Sequence, residues 1–177
     1  MTANVLTLPG WQNSGPGHWM TLWEARHPDW RRVEQADWER PRRSDWIAAL
    51  DAQALRTPGP LVLVAHSLGC LTVAHWAATS TDAARIQHAL LVAPPDLERD
   101  GSPAALSDFA PTPLTQLPFA STLIASRNDP YCRIERAHEF ATAWGSEFVD
   151  IGDRGHINVD AGFGPWPDGE ARLRQLL

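Results

Sequence analysis

The segment around Ser67 contains the residue best suited to nucleophilic chemistry. The aliphatic run Leu61–Ala65 precedes it, and a helical stretch of small apolar residues follows it directly. A serine between a strand and a helix, with small residues two positions before and after it, is typical of a nucleophile elbow, a strained turn that presents the hydroxyl above a sheet. Gly69 meets this pattern fully, whereas Ala65 adds one methyl group at the first small position. We interpret Ser67 as a nucleophile; the alternative is an ordinary N-cap serine.

A serine hydroxyl becomes a good nucleophile only when a base removes its proton and a third group orients that base. On a turn of this kind the three residues occur in the order serine, acid, histidine. Asp129 follows the aliphatic run Thr122–Ala125, and His156 lies in a glycine-flanked loop after Phe148–Ile151. The sequence therefore predicts His156 as the general base and Asp129 as the acid that holds it.

Other titratable residues compete for these two roles. Asp150 and Asp153 are alternatives to Asp129, and they rank second because they share the strand and loop of His156 and would have to fold back onto it. His66 directly precedes the serine, and strand alternation predicts that it points away from the site. The remaining histidines lie within predicted helices, before a predicted strand or too early in the chain order.

A tetrahedral intermediate also needs backbone N–H donors for its negative oxygen. We expect one donor to be the N–H of Leu68, at the start of the helix after the serine. The second should come from the glycine-rich loop at residues 9–17, with the N–H of Trp11 preferred and that of Gln12 next. The same loop could instead bind phosphate, but Met20 stands where a third glycine is required and Pro16 removes a donor.

Short aliphatic runs that alternate with helical stretches predict the architecture that must position these residues. Runs of this type are typical of strands buried on both faces of a parallel sheet. We expect strands at Val5–Leu8, Leu61–Ala65, Ala89–Ala93, Thr122–Ala125 and Phe148–Ile151, and a weaker one near Arg32–Gln35. We expect helices at His18–His27, Arg43–Arg56 with Ser44 as N-cap, Leu68–Ala78, Ile134–Trp144 and Gly169–Leu177. This order predicts one α/β domain over residues 1–177, with its site beyond the carboxyl ends of the strands.

Composition restricts the classes of partner. The 177 residues carry a net charge of −6, and all fifteen basic residues are arginines. A nucleic-acid surface would need an excess of basic residues, so we expect none. No apolar run approaches the ~20 residues that a membrane helix needs, so we expect no membrane interaction. The first residues lack the basic segment of a signal peptide, and two isolated cysteines predict no disulfide framework, so we expect a cytoplasmic protein.

Several motifs together make the chain similar to a known family. It resembles the YdeN-like serine hydrolases, the group that includes retinoblastoma-binding protein 9, over nearly its whole length. The resemblance rests on Leu8-Pro9-Gly10, Asp37-Trp38 with Pro41 and Trp46, His66-Ser67-Leu68-Gly69-Cys70, Asn128-Asp129-Pro130, Gly155-His156-Ile157-Asn158 and Gly162-Phe163-Gly164-Pro165-Trp166-Pro167.

The resemblance implies a compact lidless α/β-hydrolase, a three-layer αβα fold with a mostly parallel sheet of about six strands. It also implies a triad of Ser67, Asp129 and His156, and cleavage of a small carboxylic ester, thioester or amide through an acyl-enzyme on Ser67. Trp11, Gln12 and Trp166 would then contact the substrate.

Two other functions stay open at this point. The chain could be a protein-binding module on a hydrolase scaffold with little turnover. A metal hydrolase is a weaker alternative, because His138-Glu139 begins a zinc motif but Thr142 replaces its second histidine. We expect no cofactor and no metal.

Overall fold

The computed structural model describes residues 3–177, in which six strands form one sheet with all neighbours parallel. The order across the sheet is β2-β1-β3-β4-β5-β6. The strands are β1 (Asn4–Leu8), β2 (Arg31–Arg32), β3 (Leu61–His66), β4 (Ile86–Val92), β5 (Ala120–Ala125) and β6 (Glu147–Asp150). The predicted fold, a parallel sheet of about six strands between helical layers, is confirmed.

Helices cover both faces of this sheet. They are α1 (Trp19–Arg26), α2 (Arg43–Arg56), α3 (Leu68–Ala77), α4 (Ile134–Trp144) and α5 (Pro167–Arg174). Along β3, Leu61, Leu63 and Ala65 pack into the core with α2, α3 and α4, while Val62 and Val64 pack into the core with α1 and α5. Burial on both faces explains why the strands appear in the sequence as unbroken apolar runs.

Helix α2 has its predicted bounds but not its predicted N-cap, and the second predicted strand is shorter than expected. Helix α2 begins at Arg43 with Arg42 as N-cap, so Ser44 lies inside the first turn and does not cap it. The carboxylate of Asp108 instead accepts a hydrogen bond from the Arg43 N–H at 2.7 Å, a contact 65 residues away in sequence. The weak strand expected near Arg32–Gln35 is a two-residue edge strand, Arg31–Arg32.

The loops after β1, β3, β5 and β6 carry the residues with chemical potential. Because all strands run parallel, these loops meet at one edge of the sheet, where binding sites of such folds lie. Within residues 3–177, no helix has the length and apolar character needed to cross a bilayer. The start of the chain considered for a signal sequence includes Met1 and Thr2, which lie outside the described residues.

Candidate active site

Ser67 occupies a strained turn between β3 and α3. Its backbone angles are φ 54° and ψ −123°, a region that residues other than glycine rarely adopt. The N–H of Ser67 donates to the carbonyl of Val92 at 2.9 Å, which ties the turn to β4. A Cβ at Gly69 would lie only 2.2 Å from the carbonyl oxygen of Leu8. The glycine after the serine is therefore required for α3 to pass over the end of β1.

The structure brings Ser67, His156 and Asp129 into one chain of hydrogen bonds. His156 Nε2 lies 2.9 Å from Ser67 Oγ, and His156 Nδ1 lies 2.8 Å from Asp129 Oδ2. A carboxylate can only accept, so Nδ1–H donates to Asp129 and the free lone pair of Nε2 faces the hydroxyl. The ring is thereby fixed in the tautomer that can receive the serine proton.

A second hydrogen bond holds Asp129 through its other carboxylate oxygen. Its Oδ1 accepts the N–H of Tyr131 at 2.9 Å, and the residue is buried. The competing carboxylates are elsewhere: Asp150 pairs with Arg127 at 2.7 Å, and Asp153 is exposed to solvent. Only Asp129, of the three acids considered, contacts His156.

The loop that carries His156 is anchored on the side of Asp129. The side chain of Asn128 accepts the N–H of Gly155 at 2.6 Å, and Ser126 Oγ accepts the N–H of Arg154 at 2.8 Å. Gly155 has φ +55°, and a Cβ there would lie 2.8 Å from the side chain of Ala161. The glycine before the histidine is thus needed for the turn that directs His156 toward the serine.

Two backbone N–H groups beside Ser67 have no hydrogen-bond partner among the described residues. One belongs to Leu68 at the N-terminus of α3, and the other to Trp11 in the loop after β1. Gly10 lies against the elbow, because a Cβ there would be 2.8 Å from Ser67 Cβ and 3.4 Å from the Leu68 nitrogen. The alternative donor, the N–H of Gln12, is already bound to the carbonyl of Trp38 at 3.0 Å. Of the three predicted donors, Leu68 and Trp11 therefore keep N–H groups that no other residue in 3–177 binds, whereas Gln12 does not.

A largely buried ion pair holds the loop that contains Trp11. Arg32 pairs with Glu24 at 2.6 Å, and its Nη1 donates to Asn13 Oδ1 at 2.9 Å and to the carbonyl of Ser14 at 3.2 Å. Gln12 and Asn13 both have φ 65°, so the loop needs such support to keep its shape. No sequence motif predicts this role of Arg32, because its partners lie 8 to 19 residues away in a loop and in α1.

Ser67 lines a cavity of about 220 Å³. Trp11 and Gln12 line it, as predicted for substrate contacts, and Trp11 is held by a bond from its Nε1 to the carbonyl of Glu39 at 2.9 Å. The segment after β4 and the turn after β5 complete the lining with apolar residues and with polar ones. The apolar residues are Pro95, Leu97, Pro103, Leu106 and Tyr131, and the polar ones are Asp96, Arg99 and Ser102.

The prediction that Trp166 contacts substrate is wrong. Its indole does not line the cavity but packs against Trp19 and Trp23, with ring centroids 5.2 Å and 5.7 Å away. It also lies over Gly169, where a Cβ would be 2.4 Å from the ring. The side chain folds back onto its own helix, so this tryptophan belongs to the core on the α1 and α5 side.

His66 lies at the site although strand alternation predicted that it points away, and His18, set aside as a triad member because of its early place in the chain, lies there too. Both line the cavity and both are buried. Burial, reinforced by the nearby imidazoles of His156 and His18, holds the pKa of His66 well below its ordinary value of 6.5. Burial together with the charge of Arg32 and the neighbouring His156 lowers the pKa of His18 to about 4. Both side chains are therefore neutral at physiological pH.

Comparison with known proteins gives a consistent relationship. A family model described as serine hydrolase matches residues 5–175. A YdeN-like hydrolase from Pectobacterium atrosepticum is 32% identical, with a TM-score of 0.87 over 99% of this chain and 90% of that one. The ydeN gene product of Bacillus subtilis is 19% identical, with a TM-score of 0.79 over 99% of this chain and 98% of that one.

More distant structures share the fold. Carboxylesterase CesB of Bacillus subtilis is 13% identical with a TM-score of 0.63, over 99% of this chain and 82% of that one. No curated protein sequence matches the chain closely enough to indicate a relationship. The family model and the similarity to the Pectobacterium protein both span almost the entire chain. The chain therefore belongs to the serine hydrolase family, among the YdeN-like hydrolases of the α/β-hydrolase fold.

Proposed function

We propose that this serine hydrolase cleaves a small carboxylic ester through an acyl-enzyme on Ser67. The observation that carries the proposal is the hydrogen-bonded chain from Ser67 through His156 to Asp129, beside two N–H donors without partners. This is the set of parts that acyl transfer needs: nucleophile, base, orienting acid and oxyanion site.

In the first half-reaction, His156 Nε2 takes the proton of Ser67 as Oγ bonds to the substrate carbonyl carbon. The carbonyl oxygen becomes an oxyanion, which the N–H groups of Leu68 and Trp11 bind; the N-terminus of α3 adds a favourable dipole. The imidazolium, stabilised by Asp129, then protonates the leaving alkoxide and the acyl-enzyme remains. Water, deprotonated by His156, attacks the acyl carbon in the second half-reaction and releases the acid and the serine.

The size and lining of the cavity support a small substrate. A volume of about 220 Å³ is below the ~300–1,000 Å³ of pockets that hold drug-sized ligands. The apolar part of its lining, which includes Leu97, Leu106 and Tyr131, suits a short acyl or small aryl group. An oxygen ester is the simplest substrate, although thioesters and amides need the same machinery.

A series of p-nitrophenyl esters from acetate to octanoate tests the proposal. We expect kcat/KM to be highest at acetate or butyrate, and Ser67→Ala to reduce turnover by roughly 10⁶-fold, to near background. Ser14→Ala is the matched control. The Ser14 hydroxyl is buried in the loop after β1 and has no hydrogen-bond partner within residues 3–177. Activity that rises through octanoate would contradict the small-substrate assignment, and an active Ser67→Ala would contradict the mechanism.

A further inference from the structure

The side chain of His66 joins the nucleophile strand to the loop that carries the base. Its Nε2 lies 2.9 Å from the backbone carbonyl oxygen of His156, and the two rings are 4.9 Å apart at their centroids. His66 is also the residue directly before Ser67. One side-chain hydrogen bond therefore links the backbone next to the nucleophile to the backbone of the base.

The chemistry of this contact fixes the state of His66. A carbonyl oxygen only accepts, so the hydrogen of His66 must be on Nε2 and its Nδ1 must carry a lone pair. Because burial keeps this imidazole neutral, the tautomer does not change when His156 gains and loses its proton during turnover. A neutral His66 can therefore donate to this carbonyl in both protonation states of His156.

The ring of His18 packs against the ring of His66. Its Nδ1 accepts the N–H of Met20 at 3.2 Å, which places its hydrogen on Nε2. That Nε2 is buried without a hydrogen-bond partner among the described residues, and the His18 and His66 rings are 4.8 Å apart. The Nε2–H of His18 and the Nδ1 lone pair of His66 are a complementary donor and acceptor on neighbouring rings.

Three further hydrogen bonds anchor the loop of the base. Asn128 and Ser126 hold Gly155 and Arg154, and Trp19 Nε1 donates to the carbonyl of Ile157 at 2.8 Å. Of these contacts, only that of His66 acts on His156 itself and comes from the chain segment of the nucleophile. This contact is therefore the one that connects the backbone of His156 directly to the residue before Ser67.

We propose that His66 is a positioning residue for catalysis, which fixes the general base relative to the nucleophile through its hydrogen bond to the His156 carbonyl, with His18 as its support. The inference rests on the proposed function. A misplacement of about 1 Å between reacting groups can cost about 100-fold in rate, so loss of this bond should reduce kcat far more than it changes KM.

The test compares two buried histidines that make the same kind of bond. His75 Nε2 lies 2.9 Å from the carbonyl of Phe109, outside the cavity lining. His66→Phe and His75→Phe each keep an aromatic ring and delete one donor, so a purely structural role predicts similar losses of stability and unchanged turnover. We expect kcat for p-nitrophenyl acetate to fall about 100-fold in His66→Phe and to stay within about threefold in His75→Phe.

His66→Gln provides the rescue, because its side-chain N–H₂ can reach the position of Nε2. We expect it to recover at least about tenfold of the loss. Turnover in His66→Phe equal to that in His75→Phe, or no recovery in His66→Gln, would overturn the inference. An inactive wild-type protein would refute the proposed function and this inference with it, whereas an active wild type with a fully active His66→Phe refutes this inference alone.

A measurement on the wild-type protein applies even if His66→Phe does not fold. The titratable groups that face the two rings are His156, Arg32 and the two histidines themselves. In ¹⁵N NMR spectra of histidine-labelled protein, we expect His66 to remain the neutral Nε2–H tautomer between about pH 5 and pH 8. An Nδ1–H tautomer, or protonation of His66 near its ordinary pKa, would overturn the inference.

Discussion

Gly10→Ala should damage catalysis by moving the loop that carries the Trp11 N–H. An added Cβ would lie 2.8 Å from Ser67 Cβ and 3.2 Å from the carbonyl oxygen of His66, whereas ordinary contacts are 3.4–4 Å. The loop and the elbow must therefore separate by at least about 0.6 Å, and neither neighbour is a flexible side-chain end. This shift draws an oxyanion donor away from the position where negative charge develops.

The magnitude follows from the size of this shift. Removal of one oxyanion donor costs about 10²–10³-fold in kcat, and a displacement of about 1 Å costs about 100-fold. For a shift of this size we expect kcat to fall roughly 10-fold to 100-fold. KM should change little, because the donor acts mainly in the transition state.

Gly15→Ala is the matched control in the same loop. A Cβ at Gly15 would meet nothing within 4 Å, and its φ is not positive. The assay is steady-state turnover of p-nitrophenyl acetate for both variants, with thermal melting by circular dichroism to verify folding. The reasoning is refuted if Gly10→Ala retains the kcat of Gly15→Ala, because the Trp11 loop would then not need its close contact with the elbow.

Three further predictions follow from the same contacts. Asp129→Asn should lower kcat by about 10⁴-fold, because an amide cannot hold the required tautomer of His156. The control is Asp150→Asn, which should remain active in the same assay because the carboxylate of Asp150 pairs with Arg127 instead. Burial raises the pKa of the Cys70 thiol and raises that of Cys132 to about 12. An aromatic disulfide reagent should therefore react with both thiols only after denaturation. Rapid reaction of the native protein would contradict this. Burial lowers the pKa of His66 in the folded protein, so the free energy of unfolding should decrease as pH falls below 6.5. In urea unfolding, the free energy should fall less steeply with pH in His66→Phe than in the wild type, by at most about 1.4 kcal/mol per pH unit. The same pH dependence in both proteins would be inconsistent with a neutral buried His66.

The sequence identified the parts of the site that local patterns encode. The elbow at Ser67 is visible because a strained turn demands a strand before it and a glycine after it. The loop of His156 is visible because the turn needs Gly155. The family resemblance also rested on residues 162–167, which follow this loop. The fold that the resemblance implied is confirmed by the sheet and by the structural neighbours.

The sequence could not identify features that arise from contacts between distant segments. Strand alternation predicted that His66 points away from the site, whereas its ring lines the cavity and reaches the backbone carbonyl of His156, 90 residues later in the sequence. In the same way, Asp108 caps α2 in place of Ser44, and Trp166 turns onto Gly169 instead of toward the cavity. Each of these outcomes depends on packing that only the folded chain defines.

The identity of the nucleophile can be measured without knowledge of the natural substrate. The wild-type protein is incubated with a fluorophosphonate, digested, and mapped by mass spectrometry, with Ser67→Ala and Ser14→Ala treated in parallel. We predict a single phosphonylated residue, Ser67, in the wild type and in Ser14→Ala, and no adduct in Ser67→Ala. An unmodified Ser67 in folded wild-type protein, or equal labelling of Ser67→Ala, would contradict the assignment of Ser67 as the catalytic nucleophile.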